Sequence, residues 1–302
     1  MNIGLKIKTL RTEKLMTQSE LAGSEITRNM LSRIENGAAL PSIGTVFYLA
    51  KRLGVPAGYL LSEGDEEFIY NKVSVMKNIR RAYVDKNFEL CRDMCLSSFE
   101  KFDDELELIL ADTCLGLAEE HMLSGQLYKC CELLDESLSH CEKTMFDTTS
   151  QENCATVMFA VLKEISPTLD SNIADTSLDA LLLHPSVFGD PLCKYISVIL
   201  DVDKYAIYLA DTERYGMDRM SDVEKLLSLH LKAREQMKDG RFGEAKAILK
   251  NVIDSDTIPP RFLLYLACSD MEICCRETDD YKGAYEFSQN KLEILEHMLI
   301  ED

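Results

Sequence analysis

Phe88 and Leu127 lie 39 residues apart, as do Phe242 and Tyr281, and three positions after each stands a small side chain: Cys91, Cys130, Ala245 and Ala284. Self-similarity at such a period restricts a chain to stacked supersecondary units, because one unit cannot bury its apolar face alone. Asp239-Gly240-Arg241-Phe242-Gly243-Glu244-Ala245 and Asp279-Asp280-Tyr281-Lys282-Gly283-Ala284 each read as a turn running into a helix. An apolar ring would wedge between helices there, and the small residue would let two helices approach. Leu127 and Phe242 are 115 residues apart, close to three further periods. The units between carry the pattern poorly: Tyr205 falls in phase but is followed by Tyr208, and Ser166 is not apolar. From Glu66 onward helical periodicity runs between breaks near Asp103, Ser124-Gly125, Thr148, Pro167, Pro185, Tyr215-Gly216 and Pro259-Pro260, with no convincing strand. These residues leave two all-α arrangements open, an array of hairpins and a generic helical bundle.

The first 61 residues are punctuated differently. Asn2, Thr17, Thr27 and Ser42 each precede a short helical pattern and can cap it by accepting free backbone N–H groups. Gly37 ends the third pattern, and Gly54-Val55-Pro56 separates the fourth from a fifth. Five helices are expected. Ser62-Glu63-Gly64-Asp65 is polar and contains glycine, which places a boundary between a domain over 1–64 and another over 65–302.

Charge divides the chain at the same point. Residues 1–62 hold eight basic side chains (Lys6, Lys8, Arg11, Lys14, Arg28, Arg33, Lys51, Arg52) against Glu13, Glu20, Glu25 and Glu35. That segment is +4, so the overall −19 leaves −23 on the other 240 residues. A basic module on an acidic body suits phosphate binding at one end only. No apolar run reaches the ~18 residues of a membrane span, and Lys6, Lys8 and Arg11 interrupt any signal-peptide stretch. Eleven cysteines without a framework, set within helical patterns, point to reduced thiols and a cytoplasmic protein.

Within Thr27-Arg28-Asn29-Met30-Leu31-Ser32-Arg33-Ile34-Glu35-Asn36-Gly37, Thr27, Leu31 and Ile34 fall on one side of a helix with Glu35 at its edge. Asn29, Ser32, Arg33 and Asn36 fall on the other, flanked by Arg28. That outward face carries no acid. Asn can bond adenine bidentately, Arg guanine, and Ser either base. In the preceding pattern, Thr17-Gln18-Ser19-Glu20-Leu21-Ala22, Gln18 is expected at the exposed first turn within reach of a phosphate. Ala22 is small where helices cross. Arg11 and Glu35, each near an apolar face, make a candidate buried ion pair.

Ile3-Gly4, Ile7, Leu10-Arg11, Thr17-Gln18, Leu21-Ala22, Leu31-Ser32, Ile34-Glu35-Asn36-Gly37, Pro41-Ser42, Leu49-Ala50, Leu53-Gly54-Val55 and Leu60-Leu61 together resemble the phage repressor/Cro (Xre) type of helix-turn-helix, of lambda-repressor-like fold. The resemblance implies DNA contacts from Gln18, Arg28, Asn29, Ser32 and Arg33, and pairing of Arg11 with Glu35; Thr17 and Asn36 complete the expected DNA-binding set. Gly23-Ser24-Glu25 departs from the family by a turn one residue shorter than usual. The two motifs with aromatic and small residues resemble tetratricopeptide hairpins. An Xre-type domain followed by ~240 residues of such hairpins is similar to the Rgg/PlcR-type (RRNPP) regulators. That similarity implies an α-solenoid, a homodimer on a pseudo-palindromic operator in double-stranded DNA, and a short signalling peptide in a concave groove. Asn78, Asn153, Tyr195, Lys232 and Tyr265 are the groove candidates, taken from helix order.

Two other functions share the DNA domain: a ligand-independent repressor whose body only oligomerises or binds a protein, and a thiol or metal sensor. Cys91 and Cys95 are four apart, and Cys114, His121, Cys130, Cys131, His140 and Cys141 crowd one stretch. Yet Cys91 and Cys130 occupy the small-residue position of the repeat, where cysteine acts as a small hydrophobe. No metal and no cofactor is expected. The five histidines have no Ser or Asp neighbours suggesting a triad, and no glycine-rich phosphate loop occurs, so no enzyme is expected.

Overall fold

The computed structural model describes residues 2–62, 65–166, 178–215 and 220–300, and these are helices and their connections. The helices are α1 (Ile3–Glu13), α2 (Gln18–Ala22), α3 (Arg28–Glu35), α4 (Ile43–Leu53), α5 (Ala57–Leu61), α6 (Asp65–Val84), α7 (Phe88–Ser98), α8 (Asp104–Ser124) and α9 (Leu127–Cys141). They continue with α10 (Thr149–Ile165), α11 (Leu178–Leu181), α12 (Pro185–Gly189), α13 (Pro191–Leu200), α14 (Tyr205–Tyr215), α15 (Asp222–Lys238), α16 (Phe242–Ile253), α17 (Arg261–Glu277) and α18 (Tyr281–Met298). The expected breaks at Pro167 and Gly216, and Glu63-Gly64 of the expected boundary, lie outside the described residues.

The chain divides into two compact units, residues 1–87 with 93–100, and residues 88–92 with 101–302. The first is therefore longer than the five-helix module. Gly58 shows why α6 belongs to it: a Cβ there would collide with the Tyr70 hydroxyl, so α5 and α6 lie in close contact. The Phe68 ring of α6 also meets Phe99 at 5.5 Å between centroids. A polar break marks where a helix stops, and compactness is decided by what packs across it.

In the first unit all four expected caps are present. Asn2 accepts from Leu5 N, Thr17 from Glu20 N, Thr27 from Met30 N and Ser42 from Thr45 N. The Glu20 carboxylate in turn accepts from Thr17 N, completing a capping box. Ile7, Leu21, Leu31, Ile34, Leu49, Leu53 and Leu60 make the core. At Gly4 a Cβ would strike the Ile34 carbonyl, so α1 lies directly on the end of α3.

From α6 onward the repeat is visible in the backbone. Phe88, Leu127, Phe242 and Tyr281 are each the first residue of a helix, and the small residues after them are buried. Two positions before each helix stands a left-handed residue: Lys86 (φ 55°), Gly125 (85°), Gly240 (74°) and Asp279 (57°). The next residue donates to a carbonyl five back in all four turns: Asn87 to Ala82, Gln126 to His121, Arg241 to Gln236 and Asp280 to Cys275. This is the Schellman closure of the preceding helix. Phe88 lies against α8 at Gly116, where its ring fills the space a side chain would take.

Between Ser166 and Asp222 the described residues depart from this pattern. The short helices α11 and α12 lead into α13, whose Leu192 to Ile199 are all buried. Tyr205 does begin a helix, in phase, but Tyr208 three residues on is also buried and stacks on it at 6.2 Å. The repeat array is not strictly one-dimensional either: α17 lies against α8, and a Cβ at Gly125 would crowd Arg261 and Met298.

Candidate nucleic-acid interface

The helix α3 is oriented by its buried side. Leu31, Ile34 and Glu35 are covered, while Arg28, Asn29, Arg33 and Asn36 are exposed and Ser32 is half-buried. Thr27, expected on the inner side, is exposed, because the cap residue sits outside the helical wheel and turns its oxygen back onto Met30 N. Thr17 is likewise exposed and engaged in capping.

Glu35 is the polar centre behind this helix. Its side chain is 1% exposed, and Arg11 Nε and Nη2 donate to its two oxygens at 2.6 and 3.1 Å. The remaining Arg11 amine donates to the Met16 carbonyl at 2.8 Å. The Glu35 hydrogen bond raises the Arg11 pKa further, against a smaller opposing effect of burial. Gln18 differs from expectation. It is half-buried, and its Nε2 donates to Glu35 Oε2 at 2.7 Å rather than facing solvent. A buried carboxylate has about four acceptor sites; Arg11 takes two, and the Gln18 amide satisfies another.

Lys6 also turns inward. It is 1% exposed, and its ammonium donates to the Tyr59 and Ser62 carbonyls and to the Ser62 hydroxyl, at 3.0, 2.6 and 3.1 Å. It therefore stabilises the carbonyl end of α5, where a cation is favoured. The sequence does contain the signal: Ile3, Lys6, Ile7 and Leu10 follow the i, i+3, i+4, i+7 stripe of the core face. With Lys6 and Arg11 withdrawn, Lys8, Lys14, Arg28, Arg33, Lys51 and Arg52 carry the exposed positive charge.

The link between α2 and α3 runs from Gly23 to Thr27 and is held from α4. The Tyr48 hydroxyl donates to the Ala22 carbonyl at 3.0 Å, and Arg52 donates to the Glu20 carbonyl at 2.6 Å. Gly23 has φ 55°, and a Cβ there would strike the Tyr48 hydroxyl.

The five groove candidates do not form one set. Asn78 is exposed but belongs to the first unit. Asn153 is half-buried, its amide bonded to His184 Nδ1 at 3.2 Å and Ser186 Oγ at 3.1 Å. Tyr195 is fully buried and cannot line an accessible groove, because α13 is covered on every side. Its hydroxyl is hydrogen-bonded to His230 Nδ1 at 2.7 Å, and His230 Nε2 to the Asp270 carboxylate at 3.0 Å. Burial pushes the Tyr195 pKa up. Lys232 is exposed and Tyr265 half-buried.

Folding also gathers groups that are far apart in sequence. His140 Nδ1 meets Glu107 at 2.5 Å, and Arg92 binds Glu136 at 2.8 Å. Burial opposes charge on His140, but hydrogen bonds to Glu136 and Glu107 outweigh it and raise its pKa. Glu136 is held down at about 2, first by His140 and then by Arg92. Ligand atoms of Cys114, Glu136 and His140 lie within 4.8 Å of one another, and burial pushes the Cys114 thiol up to about 12. All eleven cysteines are buried.

An acid-free helix face on a capped five-helix core is the arrangement of a helix-turn-helix DNA-binding domain, and residues 7–60 match the family model described as Helix-turn-helix. The chain thus carries an Xre-type domain of that family. Among solved structures it is similar to Bacillus thuringiensis PlcR in complex with the peptide PapR7 and DNA, at 17% identity over 99% of each chain and a TM-score of 0.25. It is also similar to ComR from S. thermophilus in complex with DNA and its signalling peptide ComS, at 16% identity over 97% of this chain and 99% of that one, with a TM-score of 0.22. No curated protein matches the chain in sequence. Among the described residues no helix is long and apolar enough to cross a membrane.

Proposed function

We propose that the chain is a sequence-specific transcriptional regulator that reads the major groove with α3. The observation that carries this is the exposed side of that helix. Asn29, Arg33 and Asn36 present amide and guanidinium groups, with Ser32 beside them and no carboxylate on that face. Such groups recognise adenine and guanine edges, while Arg28, Lys8, Lys14 and Lys51 supply charge for phosphates. Thr17 stands at the opening of α2, and Gln18 acts there by orienting Glu35. The protein works as a homodimer, with two copies of α3 entering major grooves ~34–36 Å apart on a pseudo-palindromic operator. The test is selection of bound sequences from a random duplex library by the full-length protein. Recovery of a two-fold symmetric motif is the expected result, and recovery of no motif would overturn the proposal.

Control by a short peptide in the helical-repeat body belongs to the same proposal, with Lys232 and Tyr265 as the accessible candidates. The engagement of Asn153 and the burial of Tyr195 favour the second reading, a body that assembles without a ligand. Mass spectrometry of small peptides released from purified protein separates the two.

Neither of two polar clusters of the body is proposed as a catalytic or metal-sensing site. Tyr195–His230–Asp270 has the order of a relay, but Tyr195 and His230 are both 0% exposed and no substrate could reach them. At the Cys114–Glu136–His140 cluster the Arg92 guanidinium already supplies the cation that neutralises Glu136. Reduced, buried thiols fit a cytoplasmic protein.

A further inference from the structure

The helix α2 is five residues long, too short to hold itself as a helix in water. Its last carbonyls need partners from outside. Gly23 N donates to the Ser19 carbonyl, and α4 supplies two further donors. Arg52 Nη2 donates to the Glu20 carbonyl at 2.6 Å, and the Tyr48 hydroxyl donates to the Ala22 carbonyl at 3.0 Å. Tyr48 and Arg52 are one turn apart on the same face of α4, and Arg52 Nη1 donates to the Tyr48 hydroxyl oxygen at 3.3 Å. The guanidinium carbon also lies 5.7 Å from the centre of the Tyr48 ring. The two side chains form one unit that closes the end of α2, where a cation is the favoured charge.

That unit rests on the link to α3. A Cβ at Gly23 would strike both the Tyr48 hydroxyl and Arg52 Nη1, so the glycine makes room for the pair as well as adopting φ 55°. From Gly23 the backbone runs through Ile26 to Thr27, and Ile26 N donates to the same Ala22 carbonyl at 3.4 Å. One carbonyl thus joins the tyrosine of α4 to the link. Thr27 then opens α3 by accepting from Met30 N. The direction of α3 is fixed at its start by Tyr48 and Arg52, and at its end by Arg11 and Glu35. In a helix-turn-helix the first helix crosses the phosphate backbone while the second enters the groove. The angle between them therefore decides which base edges the second helix reaches. Charge alone would assign Arg52 to a phosphate, but both its terminal nitrogens are engaged within the domain.

We infer that Tyr48 and Arg52 are positioning residues for base reading: they set the angle between α2 and α3, and with it the operator sequence that Asn29 and Arg33 select. The inference rests on the proposed reading of DNA by α3. The test is selection of bound sequences from a random duplex library by full-length wild type, Tyr48→Phe and Arg52→Lys. Tyr48→Phe removes one hydroxyl and keeps the ring. Arg52→Lys keeps the charge but lacks the fork that bonds the Glu20 carbonyl and the Tyr48 hydroxyl through separate nitrogens. Both variants should shift or relax the same positions of the selected motif. Each should bind the wild-type operator about tenfold more weakly, the effect of one mismatched base pair. Helical circular dichroism and the salt dependence of binding should stay as in the wild type, because no phosphate contact is lost. If Arg52 held a phosphate, Arg52→Ala would lower the salt slope by about one and leave the motif unchanged. That result, or the wild-type motif in both conservative variants, would overturn the inference while leaving α3 as the reading helix. A wild type that selects no motif would instead remove the reading by α3, and the inference with it.

Discussion

Arg11 closes a two-pronged ion pair on Glu35 across 24 residues of sequence, from α1 to the last residue of α3. Removing Glu35 would strand the Arg11 guanidinium, only 11% exposed, and removing Arg11 would strand a carboxylate sealed from water. Loss of one partner of a buried pair costs about 3–5 kcal/mol. Glu35→Ala is expected to lower the stability of the first unit by that order. Urea denaturation followed by hydrogen exchange of residues in α1 and α3 measures it. A loss below about 1 kcal/mol, the level of a surface pair, would mean that the pair is not what holds α3 against α1.

Gln18 binds the same carboxylate, and this separates two roles for it. Gln18→Ala leaves Glu35 with one donor fewer, a change worth about 1–3 kcal/mol, whereas loss of a phosphate contact would leave stability intact. Destabilisation without a loss of DNA affinity by the folded protein is expected. A weaker affinity for duplex DNA at constant stability would instead place Gln18 on the backbone of the duplex.

Asn29 and Ser32 face away from the core, so replacing both with alanine should not unfold the domain. Each lost base contact costs discrimination of about 1–3 kcal/mol, which predicts loss of most sequence selectivity with non-specific binding retained. Footprinting on the selected operator reports it, and an unchanged footprint would dismiss α3 as the reading helix.

His140 and Glu136 predict a pH window. The raised pKa of His140 stabilises the fold fully below its ordinary value of 6.5, and that contribution is lost as pH rises through the higher folded value. Glu136, lowered from 4.5 to about 2, contributes above 4.5 and loses its contribution as pH falls toward 2. Both act together between about 4.5 and 6.5. Denaturation midpoints should therefore fall on moving from pH 6 to pH 9 in the wild type, and fall less in His140→Gln. Equal slopes in the two proteins would show that the pair is not linked to stability.

Gly116 is expected to tolerate no larger side chain, since Phe88 occupies its space. Gly116→Val should cost about 1–3 kcal/mol through overpacking, and Gly116→Val with Phe88→Ala should recover part of that loss. Additive effects in this double-mutant cycle would argue against the contact.

Local chemistry explains what was legible from residues alone. The caps at Asn2, Thr17, Thr27 and Ser42 form because an oxygen on a short side chain reaches an N–H three residues on, whatever the rest of the chain does. The hairpin starts at Phe88, Leu127, Phe242 and Tyr281 follow from turns closed by bonds spanning five residues. Lys6 was legible in principle, since its place in the apolar stripe of α1 outweighs its charge once carbonyls of α5 are available.

Sequence by itself determined that the chain is helical, where most helices begin and end, and which side of α3 carries base-reading chemistry, because these depend on neighbours within one or two turns. Only the tertiary structure decided that Gln18 turns to Glu35, that Tyr195 is sealed against His230, and that α6 joins the first unit. Each of these depends on which distant backbone or charge lies opposite, and packing sets that.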